Sequence, residues 1–280
     1  MEKLKMPVND ALGTRMKEYY EAIPKMRLMR RTPVAIRLDG RAFHTFTRSF
    51  QKPFDAILVK AMQNTMKYLC EEIQGCVFGY TQSDEITLIL IDYQTLETDA
   101  WFDWEVQKIC SVAASMATLA FNTYFKREVN NFYEQILDDV IEDWIGVPKE
   151  VEYYIALEKA VGRGATFDCR CFNIPKEEVC NLILWRQLDA TRNSIQMVGQ
   201  ANFSHKELQN KSCNMIQDML HEERGINWND FPTYLKRGSA CVRSVSPDGL
   251  EFGEWIVDLD MPILKGEDRN YVEQYIYVGE

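Results

Sequence analysis

The sequence predicts an α+β fold in the order β-α-β-β-α-β, the ferredoxin-like split βαβ pattern. Three observations predict it: an alternating apolar strand at 34–39, two apolar runs on either side of Ser83-Asp84-Glu85, and two long stretches with helical spacing between the strands. In such a sheet the first strand lies in the middle, beside the hairpin. We therefore expect the end of this strand and the tip of the hairpin to meet at one edge.

The first strand follows a polar, charged segment, residues 1–32. The spacing of Tyr19, Ile23 and Met26 in this segment predicts a helix, which Pro33 would end a little later. Within the strand at 34–39 alternate residues are apolar, so one face should pack on the core. The other face should carry Arg37 and Asp39. Gly40 follows, where the chain can turn tightly.

The remaining helices and strands are predicted from the spacing of apolar residues and from a glycine that ends a helix. Residues 54–73 repeat apolar side chains at helical intervals, and Gly75 lies just beyond, where a helix would end. A second helix is expected over 101–129, a mixed acidic excursion with helical character over 130–160, and a strand over 165–174. Together with the hairpin, these elements complete a split βαβ sheet, the arrangement that forms the palm of many polymerases and nucleotide cyclases.

The length allows one large domain or two small ones, and no stretch of the sequence looks like a linker between two domains. We therefore expect a single catalytic unit over residues 1–280, with a palm core at about 30–175 and a mainly helical and loop extension at about 176–280. The formal net charge of −10 argues against a surface coated with basic residues, although a local basic patch can still bind RNA. No apolar run reaches the ~18 residues of a membrane span, and no apolar signal region follows the N-terminus. We expect a cytoplasmic protein.

Acidic residues at two strand ends carry the chemical interpretation. Asp39 ends the first strand, and Asp84 and Glu85 lie at the hairpin tip. Neighbouring carboxylates repel one another, and one or two divalent cations would relieve the repulsion. Two metals held ~3.5–4 Å apart can align a hydroxyl with a nucleoside triphosphate. Because side chains alternate in an extended segment, Asp84 and Glu85 are not expected to ligate the same metal directly.

Two segments beside these carboxylates favour a polyanionic substrate. In the run from Asp39 to His44, Gly40 lets the backbone approach a phosphate, and successive amides can cradle it. Arg41, His44 and Lys52 are candidate phosphate-binding cations. The alternatives are an ordinary strand-to-helix turn with Asp39 as its cap, and solvated surface charges.

A third segment, Trp185 to Ser194, has helical spacing with Trp185 and Leu188 on the apolar side. One interpretation is a helix facing RNA, with Arg186 and Arg192 on phosphates and Asn193 on a nucleotide. The other is a well-capped amphipathic helix without contact to nucleic acid.

These segments, taken in order, resemble the tRNA-histidine guanylyltransferase family and its "like" proteins, which are 3′-to-5′ RNA polymerases. The resemblance covers residues from about 30 to 200. It rests on the motifs Arg37 to His44, Lys52-Pro53, Ser83-Asp84-Glu85, Phe167-Asp168 and Trp185-Arg186-Gln187.

The resemblance implies a polymerase palm with two Mg²⁺ ions bound by Asp39, Asp84 and the Gly40 carbonyl, and it places Glu85 in the active site with an undefined role. It implies that nucleotide is bound by Gly40, Arg41, Ala42, Phe43, His44, Lys52 and Ser83. The expected reaction activates a tRNA 5′-monophosphate with ATP. The 3′-hydroxyl of GTP or another nucleoside triphosphate then attacks that end and releases the adenylate. Such proteins commonly form tetramers.

One departure from the family pattern refines the expectation. Enzymes that act on histidine tRNA carry His-Ile-Asn-Asn-Leu-Tyr-Asn after Trp-Arg-Gln, whereas Ala190 to Gln196 here retains one Asn and no aromatic residue. The sequence therefore favours templated nucleotide addition that repairs or edits tRNA 5′ ends. The alternatives are untemplated guanylate addition to histidine tRNA, a palm-fold nucleotide cyclase, and a catalytically silent RNA-binding module.

Overall fold

A six-stranded antiparallel sheet organises the chain in a computed structural model that describes residues 10–142, 148–245 and 252–279. The strand order is β4-β1-β3-β2-β5-β6. The strands are β1 (Val34–Gly40), β2 (Cys76–Gln82), β3 (Glu85–Leu90), β4 (Phe167–Asn173), β5 (Ser239–Val245) and β6 (Phe252–Asp258). The first four form the ferredoxin-like order 4-1-3-2, which confirms the predicted palm.

Helices cover both faces of this sheet. They are α1 (Ala11–Met16, continued by a π-helical turn Lys17–Glu21), α2 (Phe43–Phe46), α3 (Ala56–Glu72), α4 (Val106–Glu142), α5 (Pro148–Arg163), α6 (Lys176–Asn202), α7 (His205–Leu208), α8 (Cys213–Arg224), α9 (Thr233–Arg237) and α10 (Asn270–Glu273), with 3₁₀ turns at Trp101–Trp104, Trp228–Asp230 and Gly266–Arg269. The acidic excursion is helical, as predicted, and is divided between the end of α4 and α5.

The alternation in β1 sorts its side chains between two cores. Ile36 and Leu38 are fully buried against α3 and α4, while Ala35 is buried on the opposite face with α6 and α10. Because both faces of β1 are covered, the side chains of its middle residues do not reach solvent, and the partly exposed Asp39 lies at its end. The carboxylates therefore lie at one end of a rigid, doubly covered sheet.

Two features of local structure differ from the expectation. The extension after residue 176 is mainly helical, but it also contains β5 and β6, which the sequence did not predict and which continue the sheet from the edge of β2. The turn residues Pro247-Asp248-Gly249 between them lie outside the described residues. The N-terminal helical segment ends at Glu21 rather than close to Pro33, since Pro24 cannot continue a helix and disfavours it at the preceding residue.

No helix in the described ranges combines the length and apolar character needed to cross a bilayer.

Candidate active site

The end of β1 meets the tip of the β2–β3 hairpin, as the sequence predicts. Asp39 lies opposite Glu85 on one side and opposite Asp168 on the other. The backbone N–H of Gly40 donates to the carbonyl of Asp84 at 3.0 Å. Sheet pairing thus fixes the spacing between the end of the strand and the hairpin, and brings the two acidic patches together.

The hairpin turn orients the Asp84 carboxylate. Ser83 has a left-handed backbone (φ 51°), and its hydroxyl donates to Asp84 Oδ1 at 3.0 Å. Burial raises the pKa of Asp84 and is the largest effect. Hydrogen bonds from the Ser83 hydroxyl and from the Asp84 backbone oppose it, and the nearby charges of Asp39 and Glu85 add smaller increases. A nearby cation would therefore stabilise the ionised form of Asp84.

The carboxylates at this end of the sheet fit Mg²⁺ better than a metal whose ligands all come from the protein. Asp39 and Asp84 make no ion pair with any cation in the described part of the chain. The described ranges also contain no cluster of three or more His, Cys, Asp or Glu side chains placed to hold a metal. Mg²⁺ typically uses one or two carboxylates together with substrate phosphates and water. Two carboxylates without an ion-pair partner in the described residues match that requirement.

The loop after β1 needs glycine for a packing reason. A Cβ on Gly40 would lie 2.2 Å from Cδ2 of Phe43, far inside van der Waals contact. Ala42 has a left-handed backbone (φ 56°), from which α2 begins. Phe43 is buried in an aromatic cluster with Phe46 and Phe121, so its side chain serves mainly the core. The tight turn leaves the neighbouring side chains of the loop exposed to solvent.

A cleft of about 380 Å³, which we call the hairpin cleft, opens beside Asp84. Its lining includes five predicted site residues: Phe43, His44, Lys52, Ser83 and Asp84. His44, Lys52 and the nearby Arg41 are exposed. Sequence reasoning missed other lining residues, among them Gln51, Asp55, Met197 and Gln200. The last two come from α6, far along the chain, and no local pattern marks them.

Glu85 faces away from the cleft into a buried ion-pair network. Its Oε1 accepts from Arg37 at 3.0 and 3.1 Å, and its Oε2 accepts from Arg186 at 2.7 Å. Only 7% of Glu85 is exposed. With both oxygens engaged by guanidinium groups, Glu85 positions the hairpin and is not a free metal ligand. The expected divergence of Asp84 and Glu85 is therefore observed.

The predicted RNA contact of Arg186 was wrong. Arg186 is 6% exposed and also contacts Asp189 at 2.8 Å, so its charge is directed into the protein. The expected apolar side of this helix is reversed as well, since Trp185 and Leu188 are about half exposed. Glu85, a buried acid on β3, explains the reversal. Its charge needs a cationic partner, so Arg186 is buried against it, and the neighbouring apolar side chains Trp185 and Leu188 are left on the solvent side.

The other two predicted RNA contacts lie on the same stretch of α6. Arg192 is exposed and forms an ion pair with Asp189, and Asn193 Nδ2 lies 3.3 Å from the same carboxylate. Their contact with RNA stays a prediction.

A ferredoxin-like palm with carboxylates at the end of its central strands, beside a cation-lined cleft, defines a protein of the nucleotidyltransferase class. Comparison with known proteins identifies the family within that class. The family model for tRNAHis guanylyltransferase matches residues 13–175, more than half of the chain, and the protein belongs to that family.

Two solved structures and one curated relative agree with this assignment. A bacterial tRNA(His) guanylyltransferase (Thg1)-like protein in complex with ATP is 39% identical, with a TM-score of 0.77 over 96% of this chain and all of that chain. A bacterial Thg1-like protein in complex with GTP is 38% identical, with a TM-score of 0.71 and the same coverage. The tRNA(His) guanylyltransferase of Debaryomyces hansenii is 28% identical over 76% of this chain and 74% of its own length.

Proposed function

We propose that the protein adds nucleotides in the 3′-to-5′ direction to the 5′ end of tRNA, choosing each by pairing with the opposite strand. The observation that carries the proposal is that the strand end with Asp39 meets the hairpin tip, where Asp84 lines the cleft, and that neither acid has a counter-charge among the described residues. Similarity to Thg1-like proteins in complex with ATP and with GTP supports nucleoside triphosphates as substrates.

In the first step, a phosphate oxygen of the RNA 5′-monophosphate attacks the α-phosphorus of ATP and releases pyrophosphate. In the second, the 3′-hydroxyl of the incoming nucleotide attacks the 5′ phosphorus and releases AMP. Asp39, Asp84 and the Gly40 carbonyl would hold two Mg²⁺ ions, which neutralise phosphate charge and lower the pKa of the attacking hydroxyl when bound. Lys52, with His44 and Arg41, binds the triphosphate.

The protein's own residues in the divergent stretch support a templated reaction. The Thr191 hydroxyl donates to the Gln187 carbonyl at 2.9 Å, and the Ser194 hydroxyl accepts from Trp228 Nε1 at 3.2 Å. Ala190 is buried. Three side chains of this stretch therefore serve the packing of α6, and none supplies an aromatic surface for stacking on a base. Selection of one particular tRNA by this segment is not expected.

We also propose that the protein assembles as a homotetramer in the cytoplasm. Size-exclusion chromatography with light scattering at several concentrations tests the assembly. A mass of one 32.7 kDa chain would overturn it.

Guanylate addition to histidine tRNA is the second candidate, favoured by the similarity to the D. hansenii enzyme. The experiment that separates the two uses tRNAs lacking their first 5′ nucleotide, with position 72 varied and each nucleoside triphosphate offered separately. Templated repair predicts addition of whichever base pairs with position 72, in histidine and non-histidine tRNAs alike. Guanylate added opposite adenine, in histidine tRNA only, would overturn the proposal.

The same assay tests the remaining alternatives. Cyclic nucleotide formed without RNA indicates a cyclase, and tRNA binding without any product indicates a silent RNA-binding module.

A further inference from the structure

A second cavity, of about 590 Å³, lies next to the hairpin cleft, between the C-terminal end of α6 and the segment that carries α7 and α8. The Gln200 side chain lines both spaces, and Met197 of the cleft follows Gln196 of the cavity directly. The two spaces are therefore neighbours on the same stretch of α6.

The polar side chains that line the second cavity make no polar contact of their own with other described residues. It consists of Gln196, Gln200, His205, Gln209, Asn210 and Lys211. Across the described ranges, none of these six side chains forms an intramolecular hydrogen bond or ion pair. Four amides, an imidazole and an ammonium thus remain available to a ligand.

The charge of the lining differs from that of the whole protein. The chain carries a formal charge of −10, yet among the described residues no carboxylate lines this cavity, whereas the ammonium group of Lys211 does. Lys211 can bind a phosphate, and amide side chains both donate and accept, as the edges of nucleobases require. A cavity between α3, α4 and α5 is the contrasting case, because Glu128 and Glu134 line it.

The walls of the second cavity are rigidly supported. A Cβ on Gly199 would lie 2.8 Å from Cγ2 of Ile216, so α6 and α8 approach closely there. Ser204 and Glu207 form a reciprocal capping box at the start of α7. A preformed cavity loses little conformational entropy on binding.

We propose that the second cavity binds a nucleotide of the RNA substrate next to its reacting 5′ end, with amide contacts to the base and Lys211 on the adjoining phosphate. The inference rests on the proposed function, since it assigns the RNA, and not the incoming triphosphate, to this space. It also supplies RNA contacts in place of Arg186, which the ion-pair network removes from the surface.

The test combines His205→Ala, Gln209→Ala and Lys211→Ala, three exposed changes at side chains without intramolecular partners. Lys211→Ala alone is compared with Lys206→Ala, which removes the same charge from an exposed lysine outside the lining. Thermal melting confirms that each variant is folded. Fluorescence anisotropy then measures the Kd of a 5′-truncated tRNA, and steady-state extension gives KM for RNA and for nucleotide.

We expect the triple variant to raise the Kd and KM for RNA by at least about tenfold, with KM for nucleotide unchanged. Lys206→Ala should match wild type, whereas Lys211→Ala should weaken binding and flatten its salt dependence. An unchanged RNA Kd in the triple variant, or equal losses in the two lysine variants, would overturn the inference. A rise in nucleotide KM alone would assign the cavity to the triphosphate.

The wild-type protein separates this inference from the proposed function. If it binds tRNA but does not extend it, the proposed function fails and the anisotropy comparison still decides the cavity. If it binds no tRNA at all, both are overturned.

Discussion

Replacing Arg186 by Met tests whether the buried network around Glu85 positions the catalytic hairpin. The change removes the 2.7 Å contact to Glu85, which is almost fully buried, and the 2.8 Å contact to Asp189, which is less buried and also pairs with Arg192. Removing one partner of a buried pair typically costs about 3–5 kcal/mol. Because Glu85 keeps Arg37, we expect the lower end, about 3 kcal/mol in the free energy of unfolding.

Urea denaturation measures that loss, and 5′ extension at saturating RNA and nucleotide measures the effect on catalysis. A displaced hairpin also displaces Asp84, and a shift of about 1 Å at reacting groups can cost roughly 10²-fold in rate. The double variant Glu85→Gln/Arg186→Met should lose less stability than the sum of the single changes, since the unpaired buried charge is then absent. A loss below about 1 kcal/mol, together with a large rise in RNA Kd, would refute the network and restore Arg186 as an RNA contact.

Four further predictions concern the cleft. Asp39→Ala and Asp84→Ala should each abolish 5′ extension while circular dichroism shows an intact fold; appreciable extension by either at ordinary Mg²⁺ contradicts the metal assignment. The folded protein holds the Asp84 proton more tightly than the unfolded chain, so ionisation costs stability as pH rises through the raised pKa. In EDTA at pH 7 Asp84→Asn should therefore melt above wild type, and this gain should vanish below about pH 3.9; an equal gain at all pH values would exclude the charge as its cause. Lys52→Ala should weaken nucleotide binding by about 1.5–3 kcal/mol with unchanged melting, and an unaltered nucleotide KM would place the triphosphate elsewhere. Gly40→Ala should lower the melting temperature because its Cβ would clash with the Phe43 ring, and a wild-type melt would show that the turn can relax.

The palm was predictable because its signals are local. The alternation in β1 places Asp39 on a definite face, and a hairpin closed by Ser83-Asp84-Glu85 has little choice of register. Pairing of those elements then brings the acids together without further information from the rest of the chain.

The features that the sequence did not predict depend on residues far apart in the chain. β5 pairs with β2 more than 150 residues away, and no local pattern predicts that pairing. Arg186 belongs inside because Glu85, 101 residues earlier, is buried opposite it. Local periodicity treats an arginine as a surface residue, so it assigned the wrong face of α6 to solvent. Gln200 and Met197 line the cleft for the same reason: tertiary packing alone brings them there.

The distribution of counter-charges explains why three acids at one sheet edge have different roles. Glu85 has two guanidinium partners and is neutralised by the protein itself. Within the described ranges Asp39 and Asp84 have no cationic partner, and the desolvation that raises the pKa of Asp84 is uncompensated by any side chain of opposite charge. A protein that needed these acids only for stability would pair them as it pairs Glu85, because an unpaired, partly buried charge is costly. Under the proposed function, Asp39 and Asp84 would gain stability from divalent cations that enter the cleft with a triphosphate, and Glu85 would keep the hairpin in place.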